Sequence, residues 1–319
     1  HDYIGFHPKP NFRVEGACAT GSMALRTGWM NVASGLADLT LVVGVEKMTE
    51  VTTSMATGIM GRGGDAIWEY PFGTTFPGYY AMIANAHMAE FGTTEEQLAM
   101  VAVKNHHYGS LNPYAHMQKK IDLEKALTSF TVAHPLKLYD CSLITDGAAA
   151  VLLASEEKAK AISKKPVWIA GLALATDTMR MGDRETLTSI LATREAAKTA
   201  YKMAGVGPSD IDVATVHDCF TIAEIVAYED LGFCEKGEGG KLIAAKETYV
   251  GGRIPVNVDG GLKSKGHPLG ATGVSMAIEI TKQLRGEAGE RQVKKPEIGL
   301  THNVGGTGQV VAIHIFRRE

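Results

Sequence analysis

Ala19-Thr-Gly-Ser-Met-Ala-Leu25 returns near the other end of the chain, with one residue inserted, as Ala271-Thr-Gly-Val-Ser-Met-Ala-Ile278. Each copy opens a helix and follows a chemically suggestive residue, Cys18 in the first case and His267 in the second. Two such starts point to a duplicated βα unit. Outward from the first copy, residues 20–36 read as a broadly apolar helix in which Gly21, Ser22 and Gly28 permit close packing. Residues 39–45 follow as a strand, apolar enough to be expected buried on both faces, and residues 12–15 are expected as a short strand before the helix. From about 48 to 135 the chain turns rich in Gly, Met, His and Tyr around helical pieces such as 94–108, the character of an insertion. Alternation then resumes, with strands at 167–175, 211–216, 298–302 and 309–316 and helices at 194–204, 222–231 and 271–284. This is the pattern of a mostly parallel sheet covered by helices. A charged, Ala-rich helix at 154–165 marks the junction, so halves of 1–163, carrying the insertion, and 164–319 are expected.

The chain has 319 residues, enough for a large α/β body, and 32 basic against 35 acidic side chains give a net charge of −3. With no basic stripe, nucleic acid is an unfavourable partner. Cys18, Cys141, Cys219 and Cys234 are too irregularly spaced for a disulfide framework and offer no CxxC pair for zinc. That fits a reducing compartment. No apolar stretch is bilayer-sized and no basic-then-apolar leader is present, so a cytoplasmic protein with no membrane role is expected.

Cys18 sits where a strand end meets a helix N-terminus, a position whose free N–H groups and dipole favour a thiolate over a thiol. Gly16, Ala17 and Gly21 leave room for a thioester to approach. The alternative is a small buried hydrophobe. His217 and Cys219 follow a second apolar strand and, two apart, face one side, while His267 lies in a Gly-rich turn directly before a helix. Gly266, Gly270 and Gly273 match neither the Walker nor the dinucleotide spacing. All four residues, with Asn303-Val-Gly-Gly306, are expected outside the carboxyl ends of strands, where open α/β sheets gather functional groups. That placement favours a nucleophile with acid/base partners over a metal, and no metal is expected.

Glu15-Gly-Ala-Cys-Ala-Thr-Gly-Ser-Met-Ala-Leu25, Gly44-Val-Glu-Lys-Met48, Asp146-Gly-Ala-Ala-Ala150, His217-Asp-Cys-Phe220 and Gly266-His-Pro-Leu-Gly-Ala-Thr-Gly273 together resemble the thiolase superfamily, in its order and from end to end. His217-Asp-Cys-Phe220 is similar to the sterol-carrier-protein type and to archaeal acetoacetyl-CoA thiolases, where it replaces an Asn-Glu-Ala-Phe element. The resemblance implies an α/β fold of duplicated halves in a five-layer αβαβα arrangement with an inserted loop domain. It implies that Cys18 accepts the acyl group, that His267 activates it and contacts a thioester oxygen, that His217 stands where relatives place an oxyanion-stabilising Asn, and that Cys219 moves the α-proton. Backbone N–H groups of Cys18 and Gly305 would form a second oxyanion hole. Thr193, Ser264 and Lys265 are candidates for contact with CoA.

Two departures stand out. The common thiolases carry a Cys-x-Gly element where this chain reads Asn303-Val-Gly305, so Cys219 must substitute. The family's first strand-helix-strand stretch before the nucleophile is also absent, so the chain is expected to be a fragment. The implied reaction condenses two acetyl-CoA to acetoacetyl-CoA and CoA, or reverses it, with CoA leaving on a proton from His267, CoA thioesters as substrates and no bound cofactor. Longer 3-ketoacyl-CoA substrates, a non-CoA acceptor, or a non-catalytic acyl-CoA-binding scaffold are the rival readings. A homodimer or homotetramer is implied, as is an assembly with HMG-CoA synthase and a zinc-containing OB-fold protein. A stripe of Met55, Met60, Trp68, Phe72, Tyr79, Tyr80 and Met82 either shapes the acyl pocket or serves packing. Cys141, Cys234, His87, His106, His107, His116 and His134 are read as structural or surface residues.

Overall fold

The computed structural model describes residues 2–319. Helix α1 (Thr20–Ala33) leads into strand β1 (Leu39–Glu46). The insertion then folds as α2 (Thr53–Gly61), α3 (Phe76–Phe91), α4 (Glu95–Gly109), α5 (Leu123–Leu127) and a small hairpin of β2 (Thr131–Ala133) and β3 (Leu136–Lys137). After it come β4 (Gly147–Ala154), α6 (Glu156–Ile162), β5 (Val167–Thr176), α7 (Leu191–Ala204), β6 (Val213–Val216), α8 (Thr221–Asp230), α9 (Gly239–Ala244), α10 (Leu269–Arg285), β7 (Ile298–Gly305) and β8 (Val310–Arg318).

β1 and β4 form one antiparallel sheet, and the second half forms a four-stranded sheet in the order β5-β8-β7-β6. Helices α1 and α10 lie against each other between the two sheets, and α7 covers the far side of the second. The repeated Ala-Thr-Gly elements are therefore the two halves of one central contact. A Cβ at Gly273 would stand 2.2 Å from the Ser22 nitrogen, and one at Gly21 would stand 2.8 Å from the Val274 nitrogen. Backbone cannot yield as a flexible side chain does. Gly273→Ala is expected to cost about 2–3 kcal/mol of stability, read as a lower urea midpoint with an unchanged slope. An unchanged midpoint would show that the helices separate freely.

Several expectations are corrected. Residues 12–15 form no strand: among the described residues none pairs with them, and the Glu15 carboxylate instead accepts from the Gly16 and Ala17 N–H groups at 3.1 and 3.0 Å. β1 is not buried on both faces, because Leu39, Leu41, Val43 and Val45 are about half exposed. Across the ladder Leu41 pairs with Leu152 and Val43 with Ala150, so this outer face is wholly apolar. The strand pairing is mainly antiparallel, with only β6–β7 parallel among the described pairs, since residues 306–309 return β7 directly into β8. β7 also runs on through Gly305, so Asn303 lies within a strand rather than after it.

The insertion carries one small apolar cluster of its own, Ala99, Ala102, Ile121 and Ala126 between α4 and α5, and otherwise joins the main core. α3 and α4 pack on α8 and α9, and Tyr79, Tyr80, Leu98 and Val101 join the main apolar cluster with Phe220, Ile222 and Leu300. The Met and aromatic stripe splits accordingly: Tyr79 and Tyr80 are buried, whereas Met55, Trp68, Phe72 and Met82 are exposed. No described helix is long and apolar enough to cross a membrane.

Candidate active site

Cys18 occupies a single turn, Ala17–Ala19, that runs directly into α1. Ala17 enters it at φ 51°, a left-handed value that an alanine adopts only under constraint. Glu15 supplies the constraint by gathering the Gly16 and Ala17 N–H groups and the Thr20 hydroxyl, the last at 2.8 Å. On the opposite side, His217 and Cys219 leave the C-terminal end of β6 before α8 begins, and His267 stands between a tight turn at Gly261–Lys265 and α10. Asp218 ties these segments together. Its carboxylate accepts from the Leu262 N–H at 2.7 Å and from the Asn105 amide at 2.8 Å, and is fully buried.

The Cys18 sulfur and ring nitrogens of His217 and His267 all lie within 4.8 Å of one another. The imidazoles meet edge to face, with centroids 5.0 Å apart. Their hydrogen bonds fix different tautomers. The Thr272 hydroxyl gives its one proton to the Pro268 carbonyl at 2.9 Å, so at 2.7 Å it accepts from His267 Nδ1 and leaves Nε2 with a free lone pair. Asn303 donates through Nδ2 to the Cys18 carbonyl at 3.0 Å and to His217 Nδ1 at 3.1 Å. Because that carbonyl can only accept, the amide is fixed, and His217 carries its proton on Nε2. That Nε2 is buried without a partner. One histidine is therefore poised as a base and the other as a donor. A cluster of one thiol and two imidazoles has the composition of a metal site, but the Asn303 bond denies a metal the His217 lone pair.

Burial pushes the Cys18 thiol up to about 11, against the N–H groups of Gly306 and of Cys18 itself, which pull the other way. This corrects the expected resting thiolate: a helix N-terminus contributes about 0.3–1 kcal/mol, less than one pKa unit, and desolvation outweighs it. The N–H turned to the sulfur is that of Gly306, while its neighbour Gly305 pairs with Val310 in the β7–β8 ladder. Burial likewise drives His217 well below its usual value and His267 down to about 3, so both are neutral. Burial holds Cys219 well above the ordinary thiol range, opposed by a hydrogen bond from Tyr80.

The proposed CoA contacts lie in different settings. Thr193 is buried inside the fold, its hydroxyl 3.0 Å from His302 Nε2, and so is not on an accessible surface. Ser264 is also buried, donating to the Met117 carbonyl at 2.6 Å. Lys265 pairs with Asp259 and borders a cavity of about 460 Å³ that Gly266 and Pro268 carry to the flank of His267. Neither this cavity nor a second one of about 690 Å³, lined by Ser189, Arg194, Asp230 and Lys236, has any of the four principal residues in its wall. Sequence reading assigned no role to Asp218 or Thr272, placed Asn303 near the site without a partner and took Tyr80 only as part of a stripe. Asp218, Asn303 and Tyr80 act through partners distant in sequence, and Thr272 through His267, five residues away.

The buried imidazoles also set acid sensitivity. His267, His302 and His314 sit at about 3 through burial, against 6.5 when exposed, and His217 is also lowered. Between those values the unfolded chain binds more protons than the folded one, so stability is complete above pH about 6.5 and falls as pH drops towards 3. Asp218 and Asp230, both lifted mainly by burial, work the other way, but they are two groups against six once the lowered His106 and His107 are included. The urea midpoint is expected to fall steeply from pH 6 to pH 4; a flat or rising midpoint would contradict neutral imidazoles.

Family models match both halves of the chain: the thiolase N-terminal domain over residues 3–157 and the thiolase C-terminal domain-like model over 173–318. The chain is 52% identical over 317 residues to an acetyl-CoA acetyltransferase of Methanothermobacter thermautotrophicus, covering 99% of this chain and 82% of that protein. It is 47% identical to the acetyl-CoA acetyltransferase of Methanocaldococcus jannaschii, with the same coverage. Among solved structures, the Ltp2-ChsH2(DUF35) aldolase superposes with a TM-score of 0.82 at 28% identity, covering 95% of this chain and 78% of that one. Half of all positions shared over nearly the full length is more than a common fold requires, and the chain belongs to the thiolase family.

Proposed function

We infer that the protein is an acetyl-CoA C-acetyltransferase that condenses two acetyl-CoA to acetoacetyl-CoA and CoA through an acyl group on Cys18, or runs the reverse thiolysis. The observation that carries this reading is the neutral triad: a thiol, a base with its lone pair free, and a donor with its N–H free, all within 4.8 Å. As Cys18 attacks the thioester carbonyl, His267 Nε2 takes its proton, and the N–H groups of Cys18 and Gly306, the two that face the sulfur, receive the developing oxyanion in place of the expected Gly305.

Proton bookkeeping refines the second half. If CoA left with the proton held by His267, Cys219 would remain a thiol and have no lone pair basic enough for an α-proton. If CoA takes the Cys219 proton instead, protonated His267 and a Cys219 thiolate remain. The thiolate then removes the α-proton of the second acetyl-CoA, and the enolate oxygen meets two N–H donors, His217 Nε2 and His267 Nε2. The carbanion attacks the acetyl carbon, the bond to the Cys18 sulfur breaks, and His267 returns its proton there. Each group ends as it began.

CoA thioesters serve as substrates and no resident cofactor takes part in any step. Free cysteines at all four positions fit a cytoplasmic setting. A split into halves at residue 164, a homodimer or homotetramer, and an assembly with HMG-CoA synthase and a zinc-containing OB-fold protein belong to the same proposal; the composite name of the Ltp2-ChsH2(DUF35) relative supports an assembly. The test is turnover across acyl lengths. Acetyl-CoA is expected to yield acetoacetyl-CoA, with thiolysis declining for longer 3-ketoacyl chains. Turnover of long chains without any of acetyl-CoA would overturn the substrate assignment.

A further inference from the structure

The mechanism leaves a negative sulfur at Cys219 between two steps, inside protein. Something must stabilise it there. Among the described residues, the hydrogen-bond donor facing this sulfur is the hydroxyl of Tyr80, which comes from α3 in the insertion. Tyr80 is buried and its ring stacks on Phe220, the residue next to Cys219, with centroids 4.6 Å apart and planes 23° from parallel. The stack fixes where the hydroxyl lies. The same hydroxyl donates to the Gly306 carbonyl at 3.2 Å, while the Gly306 N–H points at the Cys18 sulfur. Arg184 holds this loop by donating to the Thr307 carbonyl at 2.8 Å and to its hydroxyl at 3.0 Å.

A phenol has one proton and two acceptors are within its reach. The geometry points to Tyr80 as a positioning residue that switches its single O–H between the Gly306 carbonyl, while Cys219 is a thiol, and the Cys219 sulfur, once Cys219 is a thiolate. No proton leaves Tyr80 in this exchange: the O–H rotates from one acceptor to the other, and the Cys219 proton goes to the departing CoA sulfur as above. This deepens the proposed reaction and rests on Cys219 being its α-proton carrier. Other groups facing these two residues are Cys18, Asp218 and Lys263 around Cys219, and Cys18 and Arg184 around Tyr80. Lys263, fully buried with no hydrogen-bond partner for its Nζ, adds positive charge but no bond to the sulfur.

Tyr80→Phe keeps the ring and removes the rotor. Acetylation of Cys18 is expected to change less than about threefold, whereas condensation falls about 10- to 100-fold, the worth of a hydrogen bond to a charged acceptor, and its pH profile moves to higher pH. In a Cys18→Ala background, the pH midpoint for alkylation of Cys219 by iodoacetamide is expected to rise on adding Tyr80→Phe. A purely structural tyrosine would slow both half-reactions together and leave that midpoint in place. Equal losses, no loss, or an unmoved midpoint each overturn the proposal. Cys219→Ala separates the levels: if it abolishes condensation while Tyr80→Phe does not, Tyr80 alone is misassigned, and if it retains condensation, the role of Cys219 falls as well.

Discussion

Replacing His267 with alanine is expected to slow acetylation of Cys18 at pH 7 by about 10²–10⁴-fold, the usual worth of a positioned general base. With the Cys18 thiol held at about 11, only about one molecule in 10⁴ carries a thiolate at neutral pH, so the base must act as the bond forms. The sign of the pH dependence follows. In the wild type His267 stays neutral down to about 3, and acetylation is expected to vary little from pH 6 to pH 8. In His267→Ala the thiol must ionise unaided, so the rate is expected to climb about tenfold per pH unit up to about 11. A flat profile in the variant would show that another group takes the proton. Rapid-quench measurement of acetyl-enzyme at several pH values decides between them.

Cys219→Ala is expected to split the reaction. Cys18 and His267 remain in place, and CoA can draw its proton from His267 when Cys219 is missing, so acetylation continues. Condensation loses its base and is expected to fall about 10³-fold or more, since a thioester α-proton is too weakly acidic to leave unaided. The burial that holds Cys219 above the ordinary thiol range serves this step: a thiolate formed there is a stronger base than one in water. Single-turnover formation of acetoacetyl-CoA from pre-acetylated enzyme reads the loss. Equal decline of both half-reactions would mean that Cys219 shapes the pocket rather than moves a proton.

The duplicated frame was legible because a backbone contact leaves a mark in residue type. Gly21 and Gly273 must be glycines where α1 and α10 touch, and the repeat preserves both. The principal residues were legible for a related reason: Cys18, His217, Cys219 and His267 all stand at the edges of regular elements, where apolar periodicity breaks. What periodicity could not supply was partnership. Asn303 reads as one more residue near a strand end, and its use appears only when β7 brings it between the Cys18 carbonyl and His217. Tyr80 reads as part of an apolar stripe, yet that stripe divides into an exposed set and a buried pair, according to how α3 meets α8. The ionisation of Cys18 was misjudged because local sequence reveals a helix start but not the depth at which it is packed. β1 was misjudged in the opposite sense, since a continuous apolar run does not say whether both faces are covered.

The most direct test is the intact mass of Cys219→Ala after brief exposure to acetyl-CoA and acid quench. One acetyl group per chain, recovered on the peptide that carries residue 18 and absent from Cys18→Ala, is the expected result. No adduct on folded protein, or an acetyl group that persists when residue 18 is alanine, would contradict it.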